Sequence, residues 1–479
     1  GGFGATEDGK WLAQSEERSL FGLGFEDQYP AWQQVRPDHE LSLVFDSEEA
    51  LEAIERVLMG DGPRSVVLSG PSGCGKSAIV HELAHRLAGL DEPWHVVRVT
   101  PSEMLVGTKY LGEWQTRVRN LVELVAAPQR VLLYIPHIAE LSDVGASEQN
   151  EQATVATLLA PEIESGRIAV LGETTAESWS RGMGSKEHLK RLFARVDVLP
   201  LSRAATREVL DLVVLDAGAD VAPEALDATL DVADVYVSDI ELPGRAVGLL
   251  RRMIADRDRD SFGRADVLRT LQEATGVPPD FIDDSSPLRL DLIRDFLGLR
   301  VMGQGRAVEQ VLDLVTLIKA GLDDPNKPSG VLLFVGPTGV GKTELSRALA
   351  ELLVGAPSRL LRFDMSEYAS YESYERLIGT PTREGTLTAA VRRQPFSVVL
   401  LDEIEKAHMN VFDLCLGLFD AGRLTDGKGR TVSFRKTIIV MTSNLGAKVE
   451  TEAGIGFGDE APPPPSTEEI QKALREFFR

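Results

Sequence analysis

The chain carries one local plan twice. "SVVLSGPSGCGKSAIVHELAHRLAG", Ser65 to Gly89, and "GVLLFVGPTGVGKTELSRALAELLVG", Gly330 to Gly355, each run from an apolar strand through a glycine-rich turn into an amphipathic helix. Two such copies imply two α/β modules in tandem. After each copy come a second strand ("HVVRVT", "LLRFDM"), a helix, a third strand ("VLLYI", "SVVLL") and a fourth ("IAVLGETT", "TIIVMTSN"). This alternation predicts a parallel sheet in each module, flanked by helices, with ligands at the carboxyl ends of the strands.

Both turns satisfy G-x-x-x-x-G-K-[ST]. In the first, Gly70, Pro71, Ser72, Gly73, Cys74 and Gly75 lead to Lys76 and Ser77. In the second, Gly336, Pro337, Thr338, Gly339, Val340 and Gly341 lead to Lys342 and Thr343. The glycines let successive backbone N–H groups point inward at phosphate oxygens, and the following helix adds its positive N-terminal end. Lys76 and Lys342 are expected to reach the terminal phosphates, while Ser77 and Thr343 offer a hydroxyl to magnesium. ATP and Mg2+ are the cofactors this pattern predicts.

Hydrolysis needs acids as well as a phosphate cradle. "SVVLLDEIEKA" puts Asp402 and Glu403 at the carboxyl end of the third strand of the second module. There one carboxylate can serve magnesium, with Thr343, while the next polarises the attacking water. Asn444, in "MTSN" after the fourth strand, is suited to orient that water or sense the γ-phosphate. The first module departs from this scheme: "VLLYIPHIAEL" sets Pro136 opposite Asp402 and His137 opposite Glu403. Proline offers no acceptor, and phosphate beside an imidazole favours imidazolium, which cannot take a proton. The first site is expected to hold nucleotide and to turn it over very slowly or not at all.

Bulk properties narrow the class of partner. The 479 residues, 43% hydrophobic and 26% charged, suit a soluble globular protein of several domains. An excess of 74 acidic over 51 basic side chains makes nucleic acid or an anionic membrane surface a poor partner. Two cysteines, Cys74 and Cys415, are too few for a disulfide framework and suit a reducing cytoplasm. The sequence has neither a membrane-length apolar run nor a signal-peptide pattern. It begins without Met at "GGFG" and stops at "REFFR", so a portion of a longer protein is expected.

The expected organisation is an N-terminal linker or cap over 1–40, a first α/β module over 41–200 and a helical lid over 201–260. A charged, proline-bearing linker then spans 261–295, and the second α/β module occupies 296–479. There is no long heptad segment, so no coiled-coil insertion is expected. "GDEAPPPPSTEE" is expected to be an exposed loop.

Taken together, these residues resemble the Clp family of tandem AAA+ ATPases, protein unfoldases and disaggregases. The resemblance spans roughly 41–479 and is strongest in "VMGQGRAVEQV", "FDMSEY", "LTAAVRRQPFSVVLLDEIEKAH" and "VFDLCLGLFDAGRLTDGKGRTVSFRKTIIVMTSNLGA". In the first module "VGTKYLGEW", "LKRLFARV" and "YVSDIELPGRAVGLL" carry it. The resemblance implies ATP-driven rings, usually hexamers, that thread protein substrates through a central pore. It also implies that Val301 and Met302 lie near the adenine, that Lys109 and Tyr110 grip substrate, and that Arg191 acts on the neighbouring subunit's nucleotide. The family's second arginine position is Leu192 here. "GTPTREGTLT", Gly379 to Thr388, is about six residues shorter than the family's second aromatic pore loop. Ile455 and Phe457 in "AGIGFGDE" are candidates for docking a ClpP-like peptidase. The lid and trans-acting arginine of the second module are expected beyond the chain end. A competing expectation is a nucleotide-gated scaffold or adaptor that assembles with ATP and does not thread polypeptide.

Overall fold

Aliphatic-rich runs form the central strands of the two main sheets. The computed structural model describes residues 33–35, 47–60, 62–106, 113–126, 130–146, 154–237, 240–256, 259–283, 287–380 and 383–445. The chain divides into two units, Gly1–Ser261 and Phe262–Arg479. Each holds one of the two glycine-rich turns.

The first unit is built on six strands: β1 (Gln33–Gln34), β2 (Ser65–Ser69), β3 (His95–Arg98), β4 (Val131–Ile135), β5 (Ala169–Thr174) and β6 (Ala194–Asp197). Their order is β1-β3-β4-β5-β2-β6, parallel throughout except for β1 against β3. The central strands β2, β4 and β5 are buried along their whole length. Helices cover both faces, which is why these strands are continuously apolar rather than alternating. On one face Ile79, Leu83 and Leu87 of α2 (Lys76–Ala88), with Leu51 and Ile54 of α1 (Glu48–Leu58), pack on Leu68, Leu132 and Leu171. On the other, Leu121 of α3 (Glu113–Val125) and Leu159 of α4 (Val155–Glu164) pack on Val67, Leu133 and Val170.

Three helices follow this sheet: α5 (Arg203–Ala217), α6 (Pro223–Tyr236) and α7 (Gly244–Ile254). Ser202 starts α5 by accepting a hydrogen bond from the Ala205 N–H at 3.1 Å, and left-handed Gly218 ends it. Within 261–295 the spacing of Val267, Leu268 and Leu271 gives α8 (Arg264–Thr275) a buried stripe, so this stretch contains ordered helix.

The second unit begins its α/β part with α9 (Leu290–Arg300) and α10 (Gly305–Lys319). Its sheet contains β7 (Gly330–Val335), β8 (Leu360–Asp364), β9 (Ser397–Asp402) and β10 (Thr437–Ser443), ordered β8-β9-β10-β7 and all parallel. α11 (Lys342–Val354) follows the turn after β7. Val411, Cys415 and Leu418 of α14 (Met409–Ala421) join Val399, Leu401 and Ile439 in the core, as do Leu387 and Val391 of α13 (Thr386–Arg393). α12 (Tyr371–Ile378) contributes Leu377 to the same cluster. Both sheets therefore place the turn-bearing strand beside the fourth strand, with the third strand next in line.

Candidate nucleotide sites

Strand register makes the two sites comparable residue by residue. Ser69 pairs with Thr174 in the first sheet and Val335 with Ser443 in the second. One residue on, the Gly70 N–H donates to the Thr174 carbonyl at 3.1 Å, and the Gly336 N–H to the Ser443 carbonyl at 3.2 Å. Glu173 thus corresponds to Thr442, and Thr175 to Asn444. At the ends of the third strands His137 and Glu403 both adopt left-handed backbone, with φ of 56° and 57°. That shared turn fixes Pro136 as the counterpart of Asp402.

In the second unit the expected side chains converge. Lys342 Nζ donates to the carbonyls of Gly336 at 2.5 Å and Pro337 at 2.9 Å, and to Asn444 Oδ1 at 2.8 Å. Asn444 Nδ2 in turn donates to Glu403 Oε1 at 3.2 Å. The amide joins the Lys342 ammonium to the Glu403 carboxylate. Asp402 is 7% exposed; its Oδ1 accepts from Thr442 Oγ1 at 2.5 Å and its Oδ2 from Arg362 Nε at 3.0 Å. Thr442 Oγ1 also accepts from the Glu403 N–H at 2.9 Å, so one hydroxyl orients both acidic residues. Burial holds the Lys342 ammonium below the ordinary lysine value, against the pull of Glu405, Asp402 and Glu403. Val301 is buried, with its Cγ1 2.8 Å from where a Cβ on Gly341 would lie, while Met302 is 85% exposed. Among the described residues no group of three or more His, Cys, Asp or Glu side chains is placed to hold a metal ion by itself. Magnesium does not need one, because it takes one or two carboxylates together with phosphate oxygens and water. Asp402 and the Thr343 hydroxyl are hard oxygen donors that fit it.

The first unit retains the cradle and changes the acids. Lys76 Nζ donates to the carbonyls of Gly70 at 2.8 Å and Pro71 at 2.7 Å, matching Lys342. A cavity of about 900 Å³ opens here, lined by Ser72, Lys76, Ser77, Arg98, His137 and Glu173 among others. Gly73 has φ +86°, and a Cβ there would lie 2.3 Å from Ile240 Cγ2 and 2.7 Å from the Glu241 carbonyl. Glycine is required because the segment before α7 closes directly on the turn: the Glu241 N–H donates to the Ser72 carbonyl at 2.7 Å, and the Gly244 N–H to the Gly73 carbonyl at 2.9 Å. Cys74 is buried beneath the turn, and burial pushes its thiol up. Pro136 is buried and His137 exposed. Thr175 caps the helix Ala176–Arg181 by accepting from the Ser178 N–H.

Sequence reasoning did not single out Glu173, Tyr134, Thr442, Arg98 or Arg362. Glu173 is 9% exposed; its Oε1 accepts from Tyr134 Oη at 2.7 Å and its Oε2 from Ser77 Oγ at 3.1 Å. An acid inside the apolar run "IAVLGETT" was the available signal. Arg98 pairs in register with Tyr134 and Arg362 with Leu400, so the two arginines are equivalent. Arg191 is 77% exposed at its side chain and 3.4 Å from Glu187, whereas Leu192 is buried in the core with Trp179 and Phe193. The loop between α12 and α13 is closed by a bridge from Gly379 to Glu384, with the Thr380 N–H donating to the Arg383 carbonyl at 2.8 Å. Lys109, Tyr110, Ile455 and Phe457 lie outside the described residues.

Comparison with known proteins supplies the context. A family model described as "ATPase family associated with various cellular activities (AAA)" matches residues 66–178, and one described as "AAA domain (Cdc48 subfamily)" matches 327–479. The chain is 31% identical to the ATP-dependent Clp protease ATP-binding subunit ClpC of Staphylococcus epidermidis, over 88% of this chain and 61% of that protein. It is 30% identical to ClpC of Staphylococcus aureus with the same coverage, so it spans 61% of the length of these relatives. Among solved structures it is similar to Hsp104 in a closed-state complex with ATPγS and FITC-casein, with TM-score 0.67, 26% identity and coverage of 95% of this chain and 81% of that one. It is also similar to the Saccharomyces cerevisiae Hsp104–ADP complex, with TM-score 0.67, 27% identity and coverage of 92% and 78%.

Proposed function

The chain belongs to the Clp family of tandem AAA+ ATPases, and from that premise we propose that it is an asymmetric protein-remodelling ATPase, hydrolysing ATP mainly in its second module. The observation that carries this reading is the hydrogen-bonded chain Lys342–Asn444–Glu403, whose counterpart in the first module has Pro136 and His137 in place of the acids. In the second module Glu403 polarises water, Asp402 and Thr343 serve magnesium, Lys342 neutralises phosphate charge and Asn444 senses it. Asp402 and the Thr343 hydroxyl would hold magnesium, which when bound would supply positive charge against that developing on the phosphate. The first module binds nucleotide for assembly; of the adjacent positions 191 and 192, Leu192 is buried and Arg191 is the exposed candidate to act on a neighbouring subunit.

The substrate is another protein, remodelled rather than chemically altered, in a self-assembled ring that we take to be a hexamer in the cytoplasm. Tyr110 and Lys109 would grip it, and Ile455 and Phe457 would meet a ClpP-like peptidase. The compact bridge at Gly379 and Glu384 favours a second reading, in which ATP switches the assembly of a scaffold or adaptor without threading.

The decisive measurement is steady-state ATP turnover. Glu403→Gln should lower it by about a hundredfold or more, while Lys76→Ala should weaken assembly or nucleotide binding more than turnover. Ordinary turnover by the Glu403→Gln variant would place hydrolysis elsewhere.

A further inference from the structure

The first site has lost a carboxylate from one strand and gained one on the next. In the second site the side chain at the Thr442 position points at the Asp402 carboxylate, to which it donates at 2.5 Å. In the first site the same position holds Glu173, and the Asp402 position holds Pro136. The pairing of Ile135 with Gly172 sets Glu173 beside Pro136, the position that carries the acid in the second sheet. Its Oε2 lies 3.1 Å from Ser77 Oγ, the hydroxyl that follows the phosphate-binding Lys76.

The carboxylate is built in rather than incidental. It is 9% exposed, lines the same cavity as Lys76 and Arg98, and is held through Oε1 by Tyr134, itself 4% exposed. The Tyr134 hydroxyl is the donor to Glu173 Oε1 at 2.7 Å, within the buried end of the site. Tyr134 occupies one oxygen and leaves the other facing Ser77. A carboxylate and a hydroxyl at this spacing are the hard protein donors that magnesium takes beside phosphate oxygens and water.

We propose that Glu173 is the relocated magnesium-site carboxylate of the first module, so that this module binds nucleotide as its magnesium complex. The assignment rests on the reading that the first module binds nucleotide. It restores the metal side of the site and not the water-polarising side, because His137 still stands at the Glu403 position. A nucleotide held with its metal and without that base is one that stays unhydrolysed.

The test uses the full chain carrying Lys342→Ala, so that binding reports the first module. Titration with a fluorescent ATP analogue, in Mg2+ and again in EDTA, measures how much the metal contributes. Mn2+ electron paramagnetic resonance reports the metal's ligands directly. Magnesium should tighten binding by about 10- to 100-fold, and Glu173→Gln should remove that gain while leaving the affinity in EDTA intact. Tyr134→Phe should reduce the gain partially, and the Mn2+ spectrum should change with Glu173→Gln. Unchanged magnesium dependence in Glu173→Gln would overturn the assignment alone, as would tighter binding in both media, the mark of a glutamate that merely plugs the site. Absence of nucleotide binding in either medium would overturn the assignment together with the reading beneath it.

Discussion

A single hydroxyl organises the second site. Thr442 Oγ1 donates to Asp402 and accepts from the backbone N–H of Glu403, so it fixes the carboxylate proposed for magnesium and the turn that presents the proposed base. Thr442→Val keeps the branched shape and removes both bonds, leaving Asp402 to Arg362 alone. ATP turnover should fall about 10- to 100-fold, the range for losing a partner that orients a metal ligand. Thr442→Ser, which restores the hydroxyl, should recover most of it. Equal loss in both variants would mean that the methyl group, and hence packing, is what matters at this position. Cys415 shows the opposite kind of residue, a thiol whose pKa burial pushes up to about 12 and whose role is core packing.

Between elements, the first glycine-rich turn is coupled to the segment entering α7. Two backbone bonds, from Glu241 and Gly244 to the carbonyls of Ser72 and Gly73, leave no room for a side chain at residue 73. The helices after the sheet are thereby tied to the loop that would hold phosphate. Gly73→Ala would add strain at positive φ and an overpacked contact, a cost of about 1–3 kcal/mol. The expected outcome is at least a tenfold loss of nucleotide affinity in the first module, measured with the Lys342→Ala background, and little change in turnover by the second module. A Gly73→Ala chain that binds nucleotide normally would show that the turn and the α7 segment move apart freely. In the second unit the α12–α13 loop has its own clamp: Glu384 accepts from Arg392 at 2.7 Å and from Arg430 at 3.0 Å, which lower its carboxyl to about 2.

For the whole molecule, the question is whether nucleotide turnover moves a polypeptide. The net charge of −23 argues against nucleic acid as the thing moved. The hydrolytic set is proposed for the second module, whose loop from Gly379 to Gly385 has no aromatic side chain. Grip, if the protein threads, falls to Tyr110 of the first module. Tyr110→Ala should lower ATP-driven unfolding of a tagged model substrate about tenfold or more while ATP turnover persists. Unfolding that continues undiminished would remove Tyr110 from that role, and a wild-type chain that assembles with ATP without unfolding anything would favour the scaffold reading.

The sequence by itself determined the two modules, their parallel sheets, the two glycine-rich turns and the division between an acid-bearing and an acid-less third strand. These are local facts: a run of aliphatic residues makes the strand, and the next residues along the chain, Asp402 and Glu403 or Pro136 and His137, stand at its end. Tertiary structure decided what surrounds those residues. Ser77 meets Glu173 from 96 positions away, and Arg362 meets Asp402 from 40 away, through the register of parallel strands that no local pattern encodes. The helix in Arg264–Thr275 had its apolar spacing in plain view, but the charge and prolines around it argued for a linker. Pro136 alone says that a carboxylate is missing from the first site. Only the fold, by laying β5 beside β4, brings Glu173 to the place that Pro136 left without one.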